Sequence, residues 1–501
     1  MVNLEWHHKN EMKNSLETLL MDEGNNLSLL ETFKSPINPI CPRKPSHSVH
    51  ELLPSPDNYD ENGDNILIRG DNLPAMSSLL RKYRGKIQCI YIDPPFATGN
   101  EFDSKIFIGE DKKTVTNVAY NDKWKGKIDN YLNFMYKRLF LLKELLSETG
   151  SIYVHLDYHA SHYLKILMDG IFGEDNFRNE IIWAYPAASA KTRNFFIRSF
   201  DAILFYTKSE DYLFNDDPEI YMEYSNRVKD NLKKDEKGYF YYRGGSHDGK
   251  KLSRKVYVKK KGIFPRDVWK DIPYIRANTA EYQGFSTQKP ERLLKRIILA
   301  SSNEGDIVGD FFCGTGTTLA VAEKLNRKWI GCDLYPYSIH KAKKRLLSIC
   351  KSHDMMNWKQ KYRKIATPFH LLNVTPPEVL LKNKNLIPDI PPKIDIRVHH
   401  NESENHIKVE IKNYGYPDGG DIPTNITKKI KAFGEWIDFW GIDFHYDEEV
   451  FNHRWISYRI PKRRELELIT EPFKYENEDK LRIGIKIIDV LGKESIKILE
   501  V

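Results

Sequence analysis

The feature that most constrains the fold is a double proline directly after a short apolar run. Residues 87–92 read Ile-Gln-Cys-Ile-Tyr-Ile, and Asp93, Pro94, Pro95 and Phe96 follow. The run predicts a buried strand. Because two consecutive prolines can continue neither a helix nor a strand ladder, the chain must leave this strand in a rigid, extended loop. Ligands bind at the carboxyl ends of strands in open α/β sheets, so the sequence predicts a functional loop at a sheet edge.

The loop offers a defined set of chemical groups. Proline has no N–H, so carbonyl acceptors lie beside a carboxylate and an aromatic ring. A planar base with an exocyclic amino group needs acceptors for two N–H donors and a ring on which to stack. We expect Asp93 and the Pro94 carbonyl to be those acceptors, Pro95 to keep the loop rigid, and Phe96 to stack on the base. The alternative is a proline-kinked turn with Phe96 in the core.

A glycine-bearing turn lies about two hundred residues downstream. Residues 307–325 read as a strand, a turn containing Gly314 and Gly316, and a helix, and Asp333 ends the next strand. The glycines let the backbone approach a ligand closely, and the acidic residue suits the hydroxyls of a ribose. The P-loop lysine is absent and Leu319 occupies the place of the third glycine of the dinucleotide fingerprint, which disfavours ATP and NAD. The pattern predicts a nucleoside site that does not bind phosphates.

Together these two segments resemble the amino-methylating DNA methyltransferases. The family's Asp-Pro-Pro-(Tyr/Phe) matches residues 93–96, and its Phe-x-Gly-x-Gly matches residues 312–316. The catalytic segment precedes the cofactor segment, as in the beta order of that superfamily, and the resemblance covers roughly residues 60–350. The chain is similar to adenine-N6 methyltransferases that are modification subunits of Type III restriction–modification systems. It departs from the family at Phe96, where tyrosine is commoner, and at Phe311, where proline is frequent.

The resemblance implies a cofactor and roles for individual residues. The methyl donor would be S-adenosylmethionine, with Asp310 near its amino group and Asp333 at its ribose. Lys289 or Thr287 would lie near its carboxylate. Asp71 would contact its adenine end, although a strand-end aspartate is as often a helix cap. The turn residues expected at the cofactor are Phe312, Gly314 and Gly316.

Changes in composition divide the chain into six expected segments. In chain order they are an N-terminal arm, the catalytic half of a methyltransferase domain, a target-recognition insertion, the cofactor-binding half, a Pro-rich linker and a C-terminal β-rich domain. Their expected bounds are 1–60, 61–215, 216–280, 281–355, 356–393 and 394–501. The arm is compatible with a helix from Leu16 to Glu31. The expected fold class is thus α/β: a Rossmann-like S-adenosylmethionine-dependent methyltransferase sheet with an inserted target-recognition segment and a separate C-terminal β-rich domain.

The insertion combines aromatic residues with a run of positive charge, a pattern typical of contact with a duplex backbone. The basic residues expected to bind DNA are Lys251, Arg254, Lys255, Lys259 and Lys260. Composition alone favours a solvated hairpin whose lysines protect an edge strand. The position of the segment between the two motif blocks, where the resemblance puts target recognition, favours DNA.

Composition and the arrangement of cysteines disfavour several classes of protein. Hydrophobic content of 40% and charged content of 29% are typical of a globular protein, and no apolar run is long enough to span a membrane. Five cysteines without a Cys-x-x-Cys pair disfavour a zinc ribbon and a disulfide framework, and they predict a reducing, cytoplasmic location. We expect no metal site. The net charge of +7 is mild, so a basic surface must be local.

The predicted function is site-specific transfer of a methyl group from S-adenosylmethionine to adenine N6 in double-stranded DNA, with base flipping, as the modification component of a restriction–modification system. A homodimer and a restriction subunit are open as partners. Three alternatives remain: N4-cytosine methylation, amino methylation of RNA, and a non-catalytic DNA-binding specificity component. The C5-cytosine route is disfavoured because no Pro-Cys dipeptide occurs.

Overall fold

The computed structural model describes most of the chain between residues 27 and 501. The described residues are 6, 27–42, 64–110, 113–122, 124, 128–186, 194, 196–247, 250–258, 262–374, 388, 390–401, 403, 405–417, 422, 424–475 and 481–501.

Strands and helices alternate through the first three quarters of the described chain, and strands dominate the last quarter. Strands β1 to β12 are Leu27–Phe33, Asn65–Arg69, Ile87–Ile92, Glu101–Ile108, Lys113–Asn121, Leu146–Leu156, Phe177–Ala184, Phe200–Thr207, Lys233–Asp235, Gly238–His247, Lys250–Tyr257 and Val268–Trp269. Strands β13 to β23 are Ile307–Asp310, Lys328–Asp333, Phe369–Val374, Lys393–Asn401, His406–Gly415, Ile437–Asp443, Phe451–Asn452, Trp455–Tyr458, Phe473–Lys474, Arg482–Asp489 and Glu494–Glu500. Helices α1 to α8 are Asn72–Tyr83, Ile128–Leu145, Ser161–Phe172, Asn226–Asp230, Glu291–Ser301, Thr317–Lys324, Pro336–Leu347 and Thr424–Thr427.

Eleven strands form the main sheet, in the order β12-β7-β8-β6-β3-β13-β14-β2-β15-β1-β19. The neighbouring strands β6, β3, β13, β14, β2 and β15 are parallel, whereas β8 runs antiparallel to β6 and β7. Apolar side chains of α1, α2 and α3 pack on one face of the sheet, and those of α5, α6 and α7 pack on the other. A largely parallel sheet covered on both faces confirms the predicted Rossmann-like class.

Four parallel strands that lie side by side end at one edge of this sheet. They are β3, β13, β14 and β2, and we call the edge at which they end the carboxyl edge. Each of these strands ends at, or just before, an aspartate: Asp93, Asp310, Asp333 and Asp71, respectively. The order of strands in the sheet therefore brings together two segments that lie more than two hundred residues apart in the sequence.

The two remaining units are β-rich. A three-stranded sheet of β9, β10 and β11 lies in the insertion between β8 and α5. The C-terminal domain holds one sheet in the order β16-β17-β21 and another in the order β20-β18-β22-β23, around a core that includes Trp440, Trp455 and Ile485. The predicted inserted segment and β-rich C-terminal domain are confirmed. No helix in the described ranges has the length and apolar character required to cross a membrane.

Two strands of the main sheet lie in segments for which the sequence predicted other structure. Residues 27–31, expected as the end of a helix, form part of β1, while residues 16–26 lie outside the described ranges. Strand β15 lies within the segment expected as a linker, and it pairs with both β2 and β1. The alternation of buried and half-buried residues in β1 is that of a strand, and pairing with β15 outweighs the helical propensity of its leucines.

The cysteine expectation also needs correction. Cys41 and Cys350 form a disulfide that joins the segment after β1 to the turn that follows α7. The partners are 309 residues apart in the chain, so no local spacing indicated the pair. Cys89, Cys313 and Cys332 are free and buried.

Candidate active site

The four aspartates of the carboxyl edge line a single cavity of about 230 Å³. Asp93, which follows the apolar strand β3, faces the same space as the glycine turn after β13. Every residue expected at the cofactor lines this cavity except Gly316. The two predicted motifs therefore border one cavity, and the binding of a cofactor by these residues stays a prediction.

The two carboxylate oxygens of Asp93 have different surroundings. Oδ2 accepts a hydrogen bond from the ammonium of Lys289 at 2.6 Å. Oδ1 is buried and has no hydrogen-bond partner within the described part of the chain. A buried acceptor without a partner is costly, so it marks a position where a ligand's donor would be stabilised. Lys289, expected near a cofactor carboxylate, pairs with Asp93 and also lines the cavity.

The loop after Asp93 is fixed by the carboxylate of Asp122. This carboxylate accepts hydrogen bonds from the backbone N–H groups of Ala97 at 3.0 Å and Thr98 at 2.8 Å. It also accepts one from the indole of Trp124 at 2.8 Å. Ala97 has a φ of 60°, a conformation that a non-glycine residue adopts at a cost. The hydrogen bonds from Ala97 and Thr98 to Asp122 hold the loop in this shape.

Phe96 lies over a buried polar network. Its ring is stacked on His155, with a centroid distance of 6.1 Å and an interplanar angle of 20°. His155 is fully buried and lies 2.8 Å from the hydroxyl of Tyr91 and 3.1 Å from a carboxylate oxygen of Asp201. The other oxygen of Asp201 accepts from Tyr185 at 2.9 Å. Phe96 is half-buried, so His155 supports the ring from below while part of it stays accessible.

The glycine turn requires glycine for two different reasons. Gly314 and Gly316 have φ values of 51° and 71°, in the left-handed region that other residues rarely adopt. A Cβ at Gly316 would also lie 3.0 Å from the Cβ of Ala342 on α7, whereas a Cβ at Gly314 would meet open space. Gly316 therefore permits close helix packing, and Gly314 leaves room where the backbone borders the cavity.

Asp310 and Asp333 are buried carboxylates held by neighbouring donors. Asp310 accepts from the backbone N–H of Phe312 at 3.1 Å and from the hydroxyl of Thr318. Asp333 accepts from the N–H of Gly314 at 2.9 Å and from that of Tyr335 at 2.9 Å. Burial raises the pKa of Asp310 to about 7 and the pKa of Asp333 to about 6. Each ionised carboxylate keeps further lone pairs that can accept from a ligand.

Asp71 caps a helix and also borders the cavity. Its carboxylate accepts from the N–H of Leu73 at 2.8 Å, so it caps α1, and it also lines the cavity. The guanidinium of Arg138 donates to Asp71 at 2.7 Å and to the side chain of Asn72 at 2.6 Å. Asn72 in turn donates to the carbonyl of Phe311 at 2.6 Å. This chain of contacts ties the glycine turn to α1 and α2.

Several residues that line the cavity were not predicted from the sequence. They are Asn72, Tyr91, Trp124, Phe134, Arg138, Phe285 and Tyr335. Arg138 gave one usable signal, since a charged residue among the buried positions of α2 needs a partner. The aromatic residues gave none, because their spacing is also typical of core positions.

The charged groups that line the cavity favour a positively charged ligand. Four carboxylates line it, and the two cations among them, Lys289 and Arg138, are each paired with an aspartate. Phosphates would be repelled by this excess of negative charge, whereas a positively charged ligand with hydroxyl and amino donors would be stabilised. Aromatic rings of Phe312, Trp124 and Phe134 add apolar surface for a planar group.

The expected DNA-binding residues lie on the hairpin of β10 and β11 or beyond it. Arg254 lies directly opposite Arg243 in the ladder, and both side chains are exposed. Lys255 donates to Asp235 at 2.9 Å, so its charge is partly balanced. Lys251 belongs to β11, but its side chain is outside the described part of the chain. Lys259 and Lys260, which follow β11, lie outside the described residues altogether. The assignment of these residues to DNA binding stays a prediction.

The chain is similar in sequence to three named proteins. Type II methyltransferase M.EcaI of Enterobacter cloacae is 32% identical over 312 residues, which cover 54% of this chain and 66% of that protein. The probable type III restriction-modification enzyme HindVI Mod subunit of Haemophilus influenzae is 27% identical, with 57% of this chain and 50% of that protein covered. DNA adenine methyltransferase YhdJ of Escherichia coli is 29% identical, with 56% and 82% covered. The chain thus spans between half and two thirds of the first two relatives.

A family model described as DNA methylase matches residues 87–344, which include the loop at Asp93, the glycine turn and Asp333. The matched span is just over half of the 501 residues. Residues of both predicted motifs line the cavity at the carboxyl edge, and both motifs lie within the matched span. The chain belongs to the DNA methylase family.

Proposed function

We propose that this protein is an S-adenosylmethionine-dependent DNA methyltransferase that methylates the exocyclic amino group of adenine. One observation carries the proposal: Asp93 and the glycine turn line the same cavity. A base-binding loop and a nucleoside-binding turn therefore face each other, as group transfer between their ligands requires. Membership of the DNA methylase family supports the reaction class.

S-Adenosylmethionine suits the groups that line the cavity. Its positive charge matches the excess of carboxylates, Asp333 has lone pairs for ribose hydroxyls, and Asp310 for an ammonium. The open space at Gly314 leaves room for a ligand beside the backbone. When bound, the cofactor would supply an electrophilic methyl group on a sulfonium, with a neutral thioether as the leaving group.

Asp93 would activate the amino group of the target base. The lone pair of an aromatic amine is delocalised into the ring, so the nitrogen is a poor nucleophile. Oδ1 of Asp93 and the carbonyl of Pro94 would accept hydrogen bonds from the two N–H groups of this amine. These hydrogen bonds would increase the electron density on the nitrogen as it becomes pyramidal. Lys289 holds Oδ2 and thereby fixes which oxygen faces the base. Asp93 would then take up the proton that the methylated nitrogen releases.

We favour adenine over cytosine because of Phe96. A phenylalanine has no hydroxyl with which to read the base, so capture depends on stacking, and the larger purine gains more from it. The 29% identity to a protein named DNA adenine methyltransferase, which covers 82% of that protein, supports the same choice. N4-Cytosine methylation remains the second candidate for the same site.

The proposal extends to partners. Double-stranded DNA would be the substrate, bound in part by the hairpin of β10 and β11. The likeness to a protein named Mod subunit supports a restriction subunit as a partner, and a second copy of the chain would be the other. The proposed place of action is the cytoplasm, where genomic DNA is accessible.

Nucleoside mass spectrometry tests the proposal. Genomic DNA from a host without amino methylation would be analysed after expression of the wild-type chain. We expect N6-methyladenine to be present, and sequencing of modified bases should place it in one sequence context. N4-Methylcytosine as the only modified nucleoside would contradict the choice of adenine but not the reaction class. Methylation of RNA alone would contradict DNA as the substrate.

A further inference from the structure

The hairpin loop between β7 and β8 carries an apolar side chain that is almost wholly in solvent. Phe196 is 98% exposed, and the neighbouring Ile197 and Phe200 are 37% and 48% exposed. A single exposed apolar side chain is common, but a cluster of them marks an interaction site. This loop is therefore a candidate site of interaction with a partner.

The position of the loop relative to the carboxyl edge indicates which partner would reach it. Strand β7 runs parallel to β6, so the loop that follows it leaves the sheet on the same side as Asp93 and the carboxyl edge. Three strand spacings of about 4.8 Å separate β7 from β3 and two separate β8 from β3, so the strand ends that carry the loop lie roughly 10–14 Å from the strand that precedes Asp93. The major groove is about 12 Å wide, so a duplex that presents a base to Asp93 would also meet this loop.

The base of the loop is bound to the candidate active site. The N–H of Tyr185 donates to the carbonyl of Ser199 at 2.9 Å and closes the loop. The hydroxyl of Tyr185 donates to Asp201, which in turn binds His155 beneath the Phe96 ring. The root of the loop and the ring expected to stack on the base are therefore held by one network.

Charge complementarity points to nucleic acid. The guanidinium of Arg198 lies over the ring of Tyr158, 3.8 Å from its centroid, and Tyr158 is 43% exposed at the end of β6. A cation and exposed rings side by side suit phosphates and bases together. Proteins that distort a duplex insert apolar side chains such as phenylalanine between base steps.

We propose that Phe196 enters the duplex and fills the space left by the base that Phe96 captures. This inference rests on the proposed function, and it assigns a second, separate contact to the DNA. Phe196 would lower the net cost of extruding the base, because its ring replaces the lost stacking. It takes no part in methyl transfer itself.

The test compares Phe196→Ala with Phe214→Ala on synthetic duplexes that contain the chain's own methylation site. Phe214 is a suitable control because it is 42% exposed and follows the other end of β8, at the opposite edge of the sheet. Three duplexes would be used: one fully paired, one with 2-aminopurine at the target, and one with a mismatch at the target pair. Truncation of an exposed ring should leave folding intact in both variants.

We expect Phe196→Ala to methylate the paired duplex about tenfold more slowly or worse, because one stacking contact with the DNA is lost. The rise in 2-aminopurine fluorescence that the wild type produces should be lost as well. The mismatched duplex should restore most of the rate, because its base is extruded at lower cost. Phe214→Ala should match the wild type throughout. Wild-type rates for Phe196→Ala on the paired duplex, or an equal loss on the paired and mismatched duplexes, would overturn the inference while the proposed function stands. A wild-type protein that methylates no DNA would overturn both.

Discussion

The two carboxylate oxygens of Asp93 have different roles in the proposed mechanism. The ion pair with Lys289 occupies Oδ2 and leaves the buried Oδ1 without a partner in the described residues. The Lys289 ammonium also lies 5.2 Å from the centroid of the Phe96 ring, so one lysine contacts both residues expected at the base. Lys289 is therefore a positioning residue in the proposed mechanism.

We predict that Lys289→Met lowers turnover roughly 100-fold, because a carboxylate that is free to rotate no longer presents Oδ1 to the base. Lys289→Arg should recover a substantial part of the rate, since it keeps a cation at Asp93. Calorimetry would give the affinity for S-adenosylmethionine, which should change little in either variant. A large loss of affinity with unchanged turnover would contradict this role and favour contact with the cofactor's carboxylate.

A second residue-scale prediction concerns pH. Burial raises the pKa of Asp310 to about 7, so the fraction of this side chain that is ionised increases as pH rises from 6 to 7.5. An ammonium binds the ionised form, and we therefore expect the affinity for S-adenosylmethionine to increase about five- to tenfold over that range. The Asp310→Asn variant should show a weaker dependence, measured by calorimetry at each pH. An affinity that falls as pH rises over this range would contradict the assignment.

The sequence indicated which residues lie at the ends of individual strands, but it did not indicate which of these side chains contact each other. Gly314 and Gly316 lie in a local strand–turn–helix pattern, so the sequence alone indicated the turn and its acidic partner Asp333. The pairing of Lys289 with Asp93 joins residues that are 196 positions apart. It depends on β3 lying beside β13 in the sheet, and strand order is not encoded in any local spacing.

At the scale of elements, the hairpin of β10 and β11 places two like charges opposite each other. Arg243 and Arg254 are a cross-strand pair, and such a pair weakens a ladder when no anion lies nearby. A phosphate bound between them would relieve this repulsion. The exposed arginine pair is therefore a better indication of DNA binding than Lys255, which already has Asp235 as a partner.

We predict that Arg243→Glu with Arg254→Glu weakens duplex binding and lowers the slope of log affinity against log salt by about two units, one for each lost phosphate contact. The matched control is Lys86→Glu with Lys328→Glu, since both lysines are exposed at the opposite edge of the main sheet. Fluorescence anisotropy over a salt series would measure both slopes. Equal slopes for the wild type and the arginine variant would return the hairpin to a purely structural role.

Another hairpin, formed by β4 and β5, connects the loop at Asp93 to the C-terminal domain. The N–H of Lys105 donates to the carbonyl of Gly284 at 2.9 Å, beside the cavity. Arg464 donates to the carbonyl of Gly109 at 3.0 Å, and Lys429 to that of Thr114 at 2.8 Å. Ile106 and Ile108 belong to the core of the C-terminal domain. This domain therefore supports the segment that follows the proposed base-binding loop, a role that its own sequence pattern did not indicate.

At the scale of the whole molecule, a buried ionic cluster joins the N-terminal strand to the rest. Glu31 on β1 is fully buried and contacts Lys343 at 3.0 Å, Lys486 at 2.5 Å and His453 at 2.8 Å. Burial alone would raise the pKa of Glu31, but the two lysines outweigh it and hold the pKa well below its usual range. Lys343 lies on α7 and Lys486 on β22, so one carboxylate links the main sheet's helix layer to the C-terminal domain.

We predict that Glu31→Gln lowers the free energy of unfolding by about 3–5 kcal/mol, because it removes the counter-charge of the buried Lys343 and leaves the buried Lys486 with Glu494 as its remaining carboxylate partner. Adding Lys343→Met should recover part of the loss, since an apolar side chain of similar length needs no partner. Urea unfolding followed by circular dichroism would measure both. A Glu31→Gln midpoint equal to that of the wild type would contradict a structural role for the cluster.

The overall architecture was predictable to the extent that local patterns control it. Residues 394–398, 407–411 and 483–488 carry the period-two pattern of apolar residues that is typical of strands, and all three segments are strands. The pattern around residue 27 permits either helix or strand, and pairing with β15, more than three hundred residues away, decides between them. The bond between Cys41 and Cys350 has the same cause, since only the folded sheet and α7 bring these cysteines together.

The central claim is that Asp93 activates an amino group next to a bound methyl donor. The most direct measurement is methyl transfer from labelled S-adenosylmethionine to unmethylated DNA by the wild type and by Asp93→Ala, with cofactor affinity measured in parallel. We predict that the wild type incorporates label into N6-methyladenine, and that Asp93→Ala loses at least roughly 1,000-fold in rate with nearly unchanged cofactor affinity. Near-wild-type incorporation by Asp93→Ala would contradict the claim.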